Sequence, residues 1–133
     1  MPNNGEAILA PIAIGELIDK ITILEIKAER ITDTRKVRNV ANELAHLCAI
    51  RGEAGFDTPA MEPHARELKS LNTALWEIED EIRELEAKQD FGARFIALAR
   101  SVYHTNDKRA AVKNRINQAF GSAIVEEKSY KGG

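Results

Sequence analysis

The stretch that decides the fold is Ala13–Ile31, AIGELIDKITILEIKAERI. Its apolar residues recur in alternating steps of three and four, the spacing that places side chains along one face of an α-helix. This pattern predicts a first helix of about 19 residues, roughly 30 Å long at the rise of an α-helix. The seam consists of Ile14, Leu17, Ile21, Leu24, Ala28 and Ile31.

Three more stretches repeat this rhythm and predict further helices. Asp33 and Thr34 are candidate caps for the second helix, and Asp90 is a candidate cap for the fourth. Two glycines and two prolines in residues 52–63 predict a loop between the second and third helices. The three seams are Val37, Val40, Leu44 and Leu47; Leu68, Leu71, Leu75, Ile78, Ile82 and Leu85; and Phe95, Leu98 and Val102.

The fourth helix has two possible endings. If it is continuous, its seam places Arg109 where a leucine is expected, and a buried arginine needs a carboxylate partner. If it breaks, Asn106 caps a fifth helix, and an asparagine before a charged first turn favours this second alternative. Gly121 ends the helical part in both cases. The continuous seam runs from Val102 through Thr105 and Arg109 to Val112 and Ile116.

We therefore predict an all-α fold, an antiparallel bundle of four to five helices with coiled-coil-like seams. Residues 1–133 form a single domain, with a loop at about 52–63 and a short, extended, non-helical tail at about 121–133. The net charge is −2 for residues 1–59, −5 for 60–90 and +5 for 91–133. Opposite charges on different segments favour mutual neutralisation inside the bundle, although a basic last third also suits an anionic ligand.

Several classes of protein are disfavoured by the composition. The single cysteine, Cys48, cannot form an internal disulfide and is expected to be a small core residue. The apolar stretch at 7–14 is short and interrupted by Pro11, so neither a signal peptide nor a membrane span is predicted. These features predict a cytoplasmic protein.

Metal and nucleic-acid sites are also disfavoured. The three histidines are far apart in the sequence, so no metal and no cofactor are predicted. The basic residues of the last helix are not interleaved with aromatic residues, and the isoelectric point is near 6.0. Nucleic-acid binding is therefore not expected.

Two apolar residues lie off the predicted seams. On a helical wheel Ile23 falls among charged residues of the first helix, and Trp76 falls among charged residues of the third. Either the tail or a neighbouring helix covers them, or they form an interface, with the tryptophan as its anchor. The interface interpretation predicts a homo-oligomer, most simply a homodimer.

The densest group of polar residues occupies neighbouring turns of the last helix. Several of these side chains can converge on one pocket between helices, where they would bind an anionic small molecule. The alternative is a helix cap with ordinary surface ion pairs. The tail at 123–130 either packs back on the bundle as a short extended segment, or closes over this region with Tyr130 and its glutamates. The candidate ligand-binding residues are Arg100, Tyr103, Asn106, Asp107, Arg109, Lys113 and Tyr130.

The chain resembles an uncharacterised bacterial and phage family of small helical domains. The resemblance covers nearly the whole chain except the loop around Gly55. Because the function of that family is unknown, the resemblance assigns no catalytic residue and only directs attention to the polar strings. The strings that carry it are Pro11–Lys27, Leu75–Arg83, Leu98–Tyr103, Asn106–Ala110 and Gly121–Tyr130.

A looser resemblance concerns the first helix alone. Leu17–Arg30 is similar in rhythm to the first helix of helical chorismate mutases, which bind a dicarboxylate through basic residues in an intertwined dimer. Gly15 and Glu16 stand where that family would place an early arginine. The arginines that this resemblance would assign to such an anion are Arg30, Arg38, Arg94, Arg100 and Arg109.

The sequence thus predicts a homo-oligomeric binding or interaction module of unknown ligand. The alternative is a small enzyme or binder of an anionic metabolite, distantly similar to chorismate mutase. The catalytic residues, if there are any, are not assigned by the sequence.

Overall fold

A computed structural model describes residues 7–130, which contain four α-helices and no strand. The helices are α1, Ile14–Arg30; α2, Thr34–Glu53; α3, Glu62–Ala87; and α4, Ala93–Phe120. The predicted all-helical fold is confirmed. None of these four helices is long and apolar enough to cross a bilayer. Of the predicted tail, residues 131–133 lie outside the described residues.

Helix α1 is the central element, because it contacts each of the other three helices. Helix α3 also packs against α4, whereas α2 contacts α1 alone. Besides the predicted seam, α1 buries a second stripe at steps of four residues, consisting of Ile18, Thr22 and Ile26. A helix covered on several sides needs more than one buried face. The antiparallel arrangement and the coiled-coil-like seams stay predictions.

The core lies where α1, α3 and α4 meet. Phe56 and Phe120 close one side of it, with their rings edge to face at a centroid distance of 6.1 Å. That geometry is a favourable aromatic arrangement. Five side chains form the buried centre: Ile18, Met61, Leu68, Val112 and Ile116.

Helix α2 is held much more loosely than α1. Its start is as predicted, because the side chain of Asp33 accepts a hydrogen bond of 3.0 Å from the backbone N–H of Lys36. Val40 is its only buried residue. Cys48 is exposed, so the prediction of a core cysteine is wrong. The reason is that α2 packs against one helix only, which leaves its other faces in solvent.

The predicted helix ends differ from the structure in two places. The loop spans only 54–61, because Pro63 lies in the first turn of α3, where a proline costs no backbone hydrogen bond. Asp90 is not the cap of α4, since its side chain accepts from the N–H of Gly92, which is itself the capping residue. Gly121 ends α4 in the left-handed conformation, at φ 69°, as predicted.

The last helix is continuous, so the break that Asn106 favoured is wrong and residues 7–130 contain no fifth helix. Val112 and Ile116 are buried along the continuous seam, at 2% and 0% exposure. The side chain of Asn106 does not cap a helix but accepts a hydrogen bond from Arg109. The arginine on the seam therefore has a structural role, which depends on its carboxylate partner.

Candidate functional site

The carboxylate partner of Arg109 is Asp19, a residue of α1 with no exposed surface. Arg109 Nε donates to Asp19 Oδ1 at 2.9 Å, and Arg109 Nη2 donates to Asp19 Oδ2. Two parallel hydrogen bonds between a guanidinium and a carboxylate combine charge with fixed geometry. This bidentate pair joins α1 to α4.

Three neutral side chains complete the environment of this pair. Asn72 of α3 donates from Nδ2 to Asp19 Oδ1 and to Thr22 Oγ1, both at 2.9 Å. The Thr22 hydroxyl donates in turn to the backbone carbonyl of Asp19 at 2.8 Å. Asn106 accepts from Arg109 Nη1 at 3.4 Å. We refer to Asp19, Thr22, Asn72, Asn106 and Arg109 as the Asp19 cluster.

The Asp19 cluster is closed on one side and open on the other. The side chain of Asp19 is 1% exposed, whereas that of Arg109 is 27% exposed. The hydrogen bonds to Asp19 outweigh burial and raise the pKa of the Arg109 guanidinium above its ordinary value. The guanidinium of Arg109 therefore neutralises the buried carboxylate of Asp19, and part of the Arg109 side chain reaches the surface.

A second ion pair lies one turn away on both helices. Lys113 Nζ donates to Glu16 Oε2 at 2.5 Å and lies 3.4 Å from Glu126 Oε1 in the tail. Burial alone would lower the pKa of Lys113, but the hydrogen bond and charge of Glu16, together with Asp19 and Glu126, outweigh it and raise that pKa. The two ion pairs, Glu16–Lys113 and Asp19–Arg109, thus join neighbouring turns of α1 and α4.

The two helices approach closely next to this ion pair because residue 15 is a glycine. A Cβ at Gly15 would lie within 3.0 Å of the Cα and carbonyl carbon of Lys113, and closer still to its carbonyl oxygen. The N–H of Gly15 donates to Asn117 Oδ1 at 2.7 Å. Any larger residue at position 15 would push α1 away from α4 and disturb both ion pairs.

An open groove of about 420 Å³ lies beside the exposed edge of the Asp19 cluster. It brings together Ile23 and Trp76, which the sequence marked as lying off the seams, and both are half-buried. Its lining is largely apolar. The groove is lined by Ile23, Ile26 and Lys27 of α1, by Asn72, Leu75, Trp76, Glu79, Asp80 and Arg83 of α3, and by Arg109 of α4.

Charged side chains of both signs surround this apolar surface. Lys27 stands on the α1 side, and Glu79, Asp80 and Arg83 stand on the α3 side. Glu79 and Arg83 form the intrahelical ion pair expected from their spacing, with Nε and Oε2 at 3.3 Å. An apolar centre with a polar rim is the usual composition of a protein interface.

The tail folds back along α4, as the sequence suggested for residues 123–130. Glu126 lies near Lys113, and Lys128 Nζ donates to Asp107 Oδ1 at 2.5 Å. Tyr130 is 70% exposed and contacts Lys128, whose ammonium lies 5.3 Å from the ring centroid. A small pocket of about 210 Å³ between tail and helix is lined by Ala110, Lys113, Asn114, Glu126, Glu127 and Lys128.

The predicted ligand-binding residues are only partly brought together. Asn106 and Arg109 belong to the Asp19 cluster. Lys113 pairs with a carboxylate of α1, and Asp107 pairs with a lysine of the tail. Arg100 and Tyr103 are exposed and line neither cavity. These side chains are therefore distributed along α4 and do not converge on a single pocket.

The arginines suggested by the resemblance to chorismate mutases are also separated. Arg30 pairs with Glu77 at 3.2 Å, and Arg94 forms two hydrogen bonds with Glu81. Arg94 and Arg109 are about 22 Å apart along α4 at the rise of an α-helix. No single anion can contact both of them.

Sequence reasoning missed three members of the Asp19 cluster, namely Asp19, Thr22 and Asn72. The helical wheel placed Asp19 and Asn72 on the charged faces of their helices. The available signal was the second stripe of α1, Ile18, Thr22 and Ile26, because a second stripe widens the buried side of a helix. On a helical wheel Asp19 lies at the outer edge of this stripe, next to Ile26.

Fold and site together define an all-helical protein with an internally neutralised ion-pair cluster beside an apolar groove. Residues 9–133 match the model of a family of unknown function, DUF6165, and the chain belongs to this family. The chain has no significant match among curated proteins or among solved structures.

Proposed function

We propose that this chain is a homo-oligomeric interaction module that binds through the groove lined by Ile23 and Trp76. The observation that carries the proposal is the convergence of these two residues. They come from different helices, lie off the predicted seams, and share one apolar surface that residues 7–130 leave partly uncovered. A partly exposed tryptophan in an apolar groove is typical of an interface anchor.

The mixed charges of the rim support a second copy of the chain as the binding partner. An isologous interface places the same surface on both sides, so it must be complementary to itself. A rim of one sign would repel its own copy, whereas this rim carries a basic side chain on α1 and both acidic and basic side chains on α3. Uncovered apolar surface provides the driving force for such an association.

The anion-binding alternative has one supporting observation. Three basic side chains, Lys27, Arg83 and Arg109, line the groove. Their charge is largely compensated, because Arg83 pairs with Glu79 and Arg109 pairs with Asp19. An anion at this position would compete with carboxylates that are already in place, so the interaction module is the stronger proposal.

The proposal is tested by the mass of the protein in solution. The double variant Ile23→Asp/Trp76→Asp places two charges in the apolar part of the groove, so it should remain monomeric where the wild type is dimeric. Sedimentation equilibrium over a range of concentrations measures this difference. A matched control is Phe91→Asp/Ile96→Asp, since both residues are exposed apolar side chains outside the groove, at 51% and 56% exposure.

The control variant should keep the mass of the wild type. An unchanged assembly state in the groove variant, with its helical content retained by circular dichroism, would remove the groove as the interface. The anion-binding alternative predicts a different result. In a thermal-shift screen, a phosphorylated or carboxylated metabolite would stabilise the wild type but not Lys27→Ala.

A further inference from the structure

We propose that two copies of the chain pair across a two-fold axis running along the groove, so that Lys27 of each copy faces Asp80 of the other. This inference rests on the proposed function and names the geometry of its interface. In this arrangement the α1 side of one groove meets the α3 side of the other. Each contact therefore occurs twice in the dimer.

The first support is that Lys27 and Asp80 are the charges of the rim that the chain itself leaves unused. Arg83 pairs with Glu79, and Arg109 pairs with Asp19. Within residues 7–130, neither Lys27 nor Asp80 has an ion-pair partner, although both line the groove. They are opposite in sign and lie on opposite sides, which is the charge complementarity that a two-fold contact needs.

The second support is the register of the two helices. Lys27 follows Ile23 by four residues on α1, and Asp80 follows Trp76 by four residues on α3. Each step is one helical turn, about 6 Å along the axis. Residue numbers rise in the same direction along both helices, since each of them runs opposite to α4. Helix α1 contacts α4 through Glu16–Lys113 and Asp19–Arg109, and α3 contacts α4 through Glu67–Arg115 and Glu81–Arg94.

The register has a direct consequence for the apolar part of the groove. Where Trp76 of one copy reaches Ile23 of the other, the following turn brings Asp80 to Lys27. The large ring on α3 then meets the smaller aliphatic side chain on α1, and the ion pair lies at the polar rim. Apolar contact and charge contact are satisfied by one arrangement.

Charge reversal with complementation tests this geometry. Lys27→Glu alone sets two carboxylates against each other in both contacts of the homodimer, and Asp80→Lys alone sets two ammonium groups against each other. Each single variant should weaken dimerisation by roughly tenfold or more, because like charges face each other twice. Mixing the two variants should restore a dimer through the contact that joins the two unaltered side chains and the contact that joins the two reversed ones. Both contacts of the mixed dimer then pair opposite charges.

The measurement is sedimentation equilibrium of each variant alone, of their equimolar mixture, and of the double variant Lys27→Glu/Asp80→Lys. The mixture and the double variant are both expected to dimerise like the wild type. Lys36→Glu and Glu86→Lys are matched controls, because both positions are exposed and outside the groove. These controls should have no effect on the mass.

The outcomes separate this inference from the proposed function. If Ile23→Asp/Trp76→Asp dissociates the dimer but the charge variants do not, or their mixture stays monomeric, the two-fold geometry is wrong and the groove remains the interface. If the wild type is monomeric at every concentration, or the groove variant stays dimeric, both are wrong. Restoration to particles larger than a dimer would indicate a head-to-tail contact and overturn the two-fold axis.

Discussion

The Asp19 cluster and the groove are neighbours that share Asn72 and Arg109, yet they differ in whether their side chains are paired and covered within the chain. In the cluster, Asp19, Thr22 and Asn72 are buried, and each of these polar side chains is paired within the chain. In the groove, apolar side chains are left partly in water, with Ile23 and Trp76 both half-buried. The charges of the Asp19 cluster are paired within the chain, whereas the apolar surface of the groove is partly uncovered. A partner is therefore expected at the groove.

The largest loss of stability is expected when one member of the Asp19–Arg109 ion pair is removed. Arg109→Ala should lower the free energy of unfolding by about 3–5 kcal/mol, because it leaves the carboxylate of Asp19 buried without its cation. Asp19→Ala should cost less, since the guanidinium of Arg109 is 27% exposed and can still be hydrated. Chemical denaturation of the two variants at one protein concentration measures both values.

The double variant Asp19→Ala/Arg109→Ala is the matching control. Because it removes both charges, it should be more stable than the sum of the two single costs predicts. Strictly additive costs would show that the two side chains do not depend on each other. Because Arg109→Ala also destabilises the fold, a ligand that binds the wild type but not this variant would not by itself locate an anion site at Arg109.

Some features of the fold and of the Asp19 cluster could be predicted from the sequence, and others could not. The three-four spacing predicted the helices, and Asp33 and Gly121 predicted two of their ends, because these signals are local in the sequence. The continuous seam also predicted a carboxylate for Arg109. The identity of that carboxylate depends on which faces of α1 are covered by α3 and α4, which no local pattern records. The helix break predicted at Asn106 was wrong for the same reason, since the side chain of Asn106 accepts a hydrogen bond from Arg109 and does not cap a helix.

A second change tests the close approach of α1 to α4. Gly15→Ala should destabilise the fold by about 1–3 kcal/mol, because the new methyl group overlaps the backbone of Lys113. Gly52→Ala is the control, since Gly52 lies in α2 with no atom within 4 Å of the added Cβ. That control should be neutral or slightly stabilising. Equal effects at the two positions in thermal or chemical unfolding would contradict the close contact.

A third change tests the pairing of Lys113 through its pH dependence. The pKa of Lys113 is raised in the folded state, so its contribution to stability is fully present below the ordinary lysine pKa. It is lost as the pH rises through the higher folded value. The stability difference between wild type and Lys113→Met should therefore be constant near neutral pH and shrink above about pH 10.4.

Lys108→Met provides the comparison for this titration, because Lys108 is exposed and makes no ion pair within residues 7–130. The wild type and this variant should have parallel stability curves across the same pH range. A difference for Lys113→Met that grows in alkali would mean that Glu16 does not stabilise the charged lysine.

The smallest effect is expected in the groove itself. Trp76→Leu should change the free energy of unfolding of the dilute monomer by about 1 kcal/mol or less, because the side chain is only half-buried and leucine keeps its apolar character. The core change Leu68→Ala should cost about 2–5 kcal/mol, since Leu68 is fully buried. Equal costs would make Trp76 a core residue and not an interface residue.

The central claim, that a second copy covers the groove, is tested most directly by the fluorescence of Trp76. It is the only tryptophan in the chain and lines the groove. On dilution its emission should shift to longer wavelength over the concentration range in which the mass falls from dimer to monomer, and Lys27→Glu should emit like the diluted wild type. An emission maximum independent of concentration while the mass halves would show that the interface lies elsewhere.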